Sequence, residues 1–189
     1  MVAAVSTFSG GISNAGSINS GSIGIMLGGA TSSSASIAVV SRFSGGITNS
    51  GMISAINAGI YIANVGTFTG GVANSGTIVS PTGNGIEIGG QPTQNWTTIA
   101  IGTFAGGVSN SGTISVGGNA IWGGGMATNQ GSVTISTFSD GISNSGMISA
   151  GGNGIFVGGL AEVTAGITAP PPLRFPASLA ASTIPAQFR

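Results

Sequence analysis

One eleven-residue phrase recurs five times in this chain: Phe-x-Gly/Asp-Gly-Ile/Val-x-Asn-x-Gly-x-Ile, starting at Phe8, Phe43, Phe68, Phe104 and Phe138. Successive copies lie 25 to 36 residues apart. That spacing marks a solenoid, in which each unit buries its apolar face only against its neighbours. Within the phrase, Ile47, Asn49, Gly51 and Ile53 alternate with other residues, so period two puts them on one face of an extended chain. Ile12, Asn14, Gly16 and Ile18 repeat the parity, as do Val108, Asn110, Gly112 and Ile114. An inward Asn and an inward Gly between two Ile mark a corner, because Gly lets the backbone bend and approach its neighbour. Stacked in register, Asn14, Asn49, Asn74, Asn110 and Asn144 form an amide ladder that satisfies each otherwise costly buried amide.

A second short strand follows each Gly/Asn-rich turn: Ile25-Met26-Leu27, Ile60-Tyr61-Ile62, Ile86-Glu87-Ile88, Ile121-Trp122-Gly123 and Ile155-Phe156-Val157. A third precedes each Phe, most clearly Ile99-Ala100-Ile101 and Val133-Thr134-Ile135. The 25-residue copy loses about ten residues before this third strand, which marks a peripheral arm that tolerates insertion and deletion. No segment has helical spacing with caps. The expected fold is all-β: a parallel β-solenoid (β-helix) of about five rungs, with a solenoid domain over 1–168 and an extended proline-rich tail over 169–189. That tail holds five of the seven prolines. Proline cannot donate to a strand ladder, so the tail is not a further rung.

Composition narrows the function. Only 3% of the residues are charged, the net charge is zero, and there is no Lys, His or Cys. A mean hydropathy of +0.50 argues against disorder, despite 37 glycines. Nucleic-acid binding would need clustered cations, so no nucleic-acid partner is expected. The missing cysteines remove disulfides and thiolate chemistry together. No apolar run approaches the ~20 residues of a transmembrane helix, and the opening MVAAVSTF shows no signal peptide.

The phrase I-T-N-S-G-x-I-S followed by G-x-G-I-x-V-G-G resembles the repeats of Gram-negative autotransporter passenger domains, best over 47–54, 108–115 and 142–159. Those domains are right-handed parallel β-helices. The resemblance implies an extracellular or cell-surface location, with adhesion or self-association as the function.

β-Helices also host polysaccharide-cleaving enzymes, which need paired carboxylates or a tuned base. The acids here are Glu87, Asp140 and Glu162, and Glu87 and Asp140 occupy different repeat positions. No catalytic residue is therefore assigned. No cofactor or metal site is expected either: GGNGI recurs without the regular Asp of calcium-binding repeats, and a Walker loop is impossible without Lys. Asn95-Trp96-Thr97 is a lone glycosylation sequon, and the regular Thr-x-Thr array of ice-binding solenoids is missing.

Two columns and one set of tail residues remain. Phe8, Phe43, Phe68, Phe104 and Phe138 read as an interior aromatic stack. Met26, Tyr61, Glu87, Trp122 and Phe156, the middle residues of the second strand, point away from the coil by alternation. They are the candidate outward interface column, for lateral protein or glycan contacts, unless the arm folds over them. In the tail, Leu173, Phe175, Leu179 and Phe188 are candidate contacts to a neighbouring subunit. The reading that follows is a non-enzymatic structural subunit that self-associates head-to-tail into filaments. The alternatives are an adhesin segment displaying a binding face as a monomeric rod, and a glycan-cleaving β-helix enzyme.

Overall fold

The computed structural model describes residues 2–29, 37–90, 98–128 and 131–162. The end of the expected solenoid domain at 163–168, the tail with Leu173, Phe175, Leu179 and Phe188, and the sequon at Asn95 lie outside these described residues. Among the described residues there are twenty strands and no helix, and all pairing is parallel. The chain winds as a β-solenoid through four stacking steps between its five copies.

Each copy supplies one strand to each of four five-stranded sheets. The first sheet stacks β1 (Val2–Ser9), β5 (Ile37–Ser44), β9 (Val65–Thr69), β13 (Thr98–Phe104) and β17 (Ser132–Phe138) in that order. The second stacks β2 (Ile12–Asn14), β6 (Ile47–Asn49), β10 (Val72–Asn74), β14 (Val108–Asn110) and β18 (Ile142–Asn144). The third holds β3 (Ser17–Ser20), β7 (Met52–Ala55), β11 (Thr77–Ser80), β15 (Thr113–Val116) and β19 (Met147–Ala150). The fourth holds β4 (Ile23–Gly28), β8 (Ala58–Ala63), β12 (Asn84–Gly90), β16 (Ile121–Thr128) and β20 (Ile155–Glu162). The repeated phrase thus supplies two strands rather than one, because the Asn-x-Gly corner bends it before the second Ile.

Register is identity-matched. Phe8 pairs with Phe43, Asn74 with Asn49 and Asn110, and Ile78 with Ile53 and Ile114. Inside, Phe43, Phe68 and Phe104 are fully buried with Ile53, Ile60, Ile62, Ile78, Ile86, Ile88 and Ile114. Successive Phe rings stack 4.6 to 5.3 Å apart, nearly parallel. That spacing is the inter-strand distance of a sheet, so the rings sit at the pitch the backbone imposes.

The Gly-Gly pair of the phrase turns the chain from the first sheet into the second. Gly45 and Gly46 have φ of 105° and 71°, a region in which a side chain is strained. A Cβ on Gly46 would also lie 2.5 Å from the Gly70 carbonyl oxygen of the next rung. In the last copy Asp140 replaces the first glycine and keeps a left-handed φ of 67°. Its carboxylate accepts the Gly106 N–H at 2.9 Å, a contact that glycine cannot make.

Asn14 donates to Asn49, Asn49 to Asn74, Asn74 to Asn110 and Asn110 to Asn144, each from Nδ2 to Oδ1 at 2.7 Å. Asn49, Asn74 and Asn110 are essentially inaccessible to water. Replacing Asn74 with Leu is expected to cost more than ~1 kcal/mol, since the Asn49 amide loses its acceptor and Asn110 its donor in a dry corner. Leu at the neighbouring Ser75, which is exposed, should cost much less. Thermal melts of the two variants check this, and equal losses would contradict the ladder's role.

Candidate functional site

Two features stand out from the regular coil: the outer flank of the fourth sheet, and the two terminal rungs. The flank carries the middle-of-strand column. Cross-strand pairing sets Met26, Tyr61, Glu87, Trp122 and Phe156 one above the other in that order. The expectation that this column is an exposed face is corrected for its central members. Met26 is 43% exposed, but Tyr61 and Glu87 are each only 6% exposed and Trp122 2%, while Phe156 is half-buried.

For Tyr61 the cause lies in a second, smaller apolar cluster separate from the main core. Tyr61, Ala58 and Ala63 of β8 pack there with Ile99 of β13 and Val133 of β17, and Ile23 lies against them. The early residues of β13 and β17 are thus brought over the flank. Trp122 stacks on Phe156 with ring centroids 6.0 Å apart and donates its indole N–H to the Gly158 carbonyl at 3.3 Å. Alternation decided correctly that these side chains leave the main core. It could not decide that another layer meets them.

A cleft of about 500 Å³ remains on this flank, lined by Tyr61, Asn84, Glu87, Asn119, Trp122 and Leu160 among others. Glu87 accepts a hydrogen bond from Asn84 Nδ2 at 2.8 Å. Burial pushes its carboxyl above the usual carboxylate range, and the Asn84 bond works in the opposite direction. Burial, and after it the Glu87 charge, likewise raises the Tyr61 hydroxyl above its ordinary range. With both rings almost wholly covered, neither offers an open face on which a planar or sugar ring could stack.

Two polar devices escaped the reading of the sequence. Asn84, Asn119 and Asn153 form a second amide series: Asn119 N–H donates to Asn84 Oδ1 at 2.8 Å, and Asn153 N–H to Asn119 Oδ1 at 2.9 Å. Its signal was the Asn recurring two residues before Ile86, Ile121 and Ile155, inside turns that read as merely Gly-rich. Asn64, in left-handed conformation at φ 53°, is the single residue joining β8 to β9 where the arm is deleted. Its side chain donates to the Gly29 carbonyl at 2.8 Å and accepts the Ala100 N–H at 3.1 Å, and its carbonyl accepts from Val40 N–H. It therefore links its own layer of the coil to the one before and the one after, at the corner that lacks an arm.

The terminal rungs differ from the interior at equivalent positions. Phe8 is 43% exposed, although Phe43, Phe68 and Phe104 below it are fully buried. At the other end Ile155 is 43% and Val157 48% exposed, while Ile60, Ile62, Ile86, Ile88 and Ile121 are fully buried. Val5 at the first rung and Leu160 at the last are similarly open. Among the described residues each terminal rung is a cross-section of the core, apolar in its centre and made of the end strands of the four sheets.

Asp140 sits at the turn from the first to the second sheet, whereas Glu87 lies on the flank of the fourth. The structure therefore does not bring these two acids together, and the side chain of Glu162 is not among those described. Comparison with known proteins returns no match: no family model fits the chain, and no curated protein or solved structure shows significant similarity to it.

Glu87 generates a pH prediction. An acid whose folded pKa is raised favours folding while protonated, and that contribution is lost as pH rises from the unfolded pKa through the folded one. Glu87→Gln keeps an acceptor for Asn84 and removes the ionisation. It should raise the melting temperature by a few degrees at neutral pH and leave it nearly unchanged near pH ~4. Melts across that pH range check it, and a variant that is less stable at neutral pH would show that the carboxylate is needed.

Proposed function

We propose that this protein is a non-catalytic structural subunit, an extracellular β-solenoid that extends head-to-tail into filaments. The observation that carries the proposal is the equivalence of the two open faces. Phe8 is exposed on one side and Ile155 and Val157 on the other, and each matches positions that are sealed wherever another rung lies against them. A surface of this kind is best covered by a further rung of the same kind, and a second copy of the chain supplies one. Such a contact joins two different faces and does not close on itself, so it propagates.

The near-absence of charge favours the same reading. Charged edge residues are the usual deterrent to strand-edge pairing, and only six residues of 189 are charged. The likeness of the repeats to autotransporter passenger domains supports display at the cell surface. No paired carboxylates converge among the described residues, which favours a structural over a glycan-cleaving role.

Five rungs at ~4.8 Å each give an axial repeat of roughly 24 Å per subunit. Negative-stain images of concentrated protein should show filaments with that repeat, and sedimentation should show growth with concentration. Val157→Asp places a charge on one open face at a position already half-exposed, so it should leave melting nearly unchanged and suppress growth. A concentrated sample that stays strictly monomeric, seen as isolated short rods, would overturn the filament and favour the adhesin reading.

A further inference from the structure

The amide ladder has a direction, and this carries an inference that rests on the head-to-tail reading. In all four links the amide nitrogen belongs to the earlier copy and the oxygen to the later one. The orientation is held by the backbone, because the same nitrogen also faces a carbonyl: Asn49 that of Gly51, Asn74 that of Gly76 and Asn110 that of Gly112, at 3.3 to 3.4 Å. Two unlike ends result. At the first rung Asn14 has already given its Nδ2 to Asn49, and its Oδ1 takes only the long bond from Gly16 N–H, at 3.3 Å, among the described residues. At the last rung Asn144 has already used its Oδ1 for Asn110. Its Nδ2 carries two hydrogens, and one of these serves the Gly146 carbonyl at 3.2 Å.

We infer that this pair sets the polarity and register of the joint: Asn144 Nδ2 of one subunit donates to Asn14 Oδ1 of the next. The backbone alone does not choose, since a strand edge pairs with either end of another strand. The ladder does choose. First rung against first rung sets acceptor against acceptor, and last against last sets donor against donor. Only first against last continues both the amide series and the Phe stack. A joint slipped by one residue along the strand would oppose the amide to Ser13 or Ala15 and turn the apolar set outward. The partner is therefore a second copy in one orientation and one register.

The direction of the ladder makes one substitution diagnostic. Asn144→Asp retains the acceptor that Asn110 needs and removes the donor that the next subunit needs. The position is exposed in the isolated subunit, so a carboxylate is tolerated there. The melting temperature should stay within about 2 °C of the parent, while the critical concentration for elongation should rise at least ~10-fold, because a buried carboxylate would face the Asn14 oxygen. Ser143→Asp places the same charge one residue away on the outside and should change the critical concentration less than ~3-fold.

The Asn144→Asp subunit keeps an intact Asn14 face. Added in small proportion to the parent protein, it should dock on growing filaments, block further addition and shorten them. Elongation equal to that of the parent would overturn the inference while leaving head-to-tail assembly intact, as would equal impairment of both Asp variants or no shortening in the mixture. A parent protein that does not elongate would instead remove the reading on which the inference rests.

Discussion

A buried side-chain amide has to find its partner one rung away, and the register of the rest of the coil follows from that requirement. Asn49, Asn74 and Asn110 lie in an apolar corner from which water is excluded. Each is satisfied only if the copy above and the copy below present the same residue at the same height. Hydrophobic burial alone forbids a slip of one residue, which would turn the apolar set outward, but it would tolerate a slip of two, because Ile and Val at many positions are nearly interchangeable. The amides do not tolerate it, and they are spaced so that Ile, Gly and Phe fall into columns with them. Apolar area supplies most of the stabilisation, and the polar ladder confines it to one arrangement.

Like-on-like stacking also explains the composition. A residue in this coil is judged twice, by its own conformation and by its fit against its own kind 4.6 to 5.3 Å away, the spacing of the Phe column. Charges fail the second test, since a column of one sign repels itself. Aromatic rings, amides and small residues pass it. Asp140 shows where the rule relaxes: it occurs once, in the last copy, and its carboxylate meets a backbone N–H rather than another carboxylate.

The repeat, the period-two alternation, the corner at Asn-x-Gly and the parallel stacking were all legible in the sequence, because each is written five times. What was hidden is what occurs once or concerns a second layer. Tyr61, Glu87 and Trp122 were placed outside the main core by parity. The burial of Tyr61 depends on Ile99 and Val133 arriving from another sheet, and Trp122 stacks on Phe156 of the next rung; alternation within one strand carries no information about either. Asn64 was unreadable for a different reason: a lone Asn between two strands has no copies to compare, and its bonds to Gly29 and Ala100 reach residues about 35 positions away on either side. The Asn84 series was written three times but masked by surrounding glycine.

The deleted arm at Asn64 separates two duties within one repeat. The coil proceeds from β8 to β9 through a single residue and keeps the pairing of Val65 with Val40 and Ile101. The strand pairing at this corner consequently needs no arm to close it. Length at this corner is thus a free variable of the repeat: the one copy that shortens it to a single Asn64 leaves the columns of its neighbours in step.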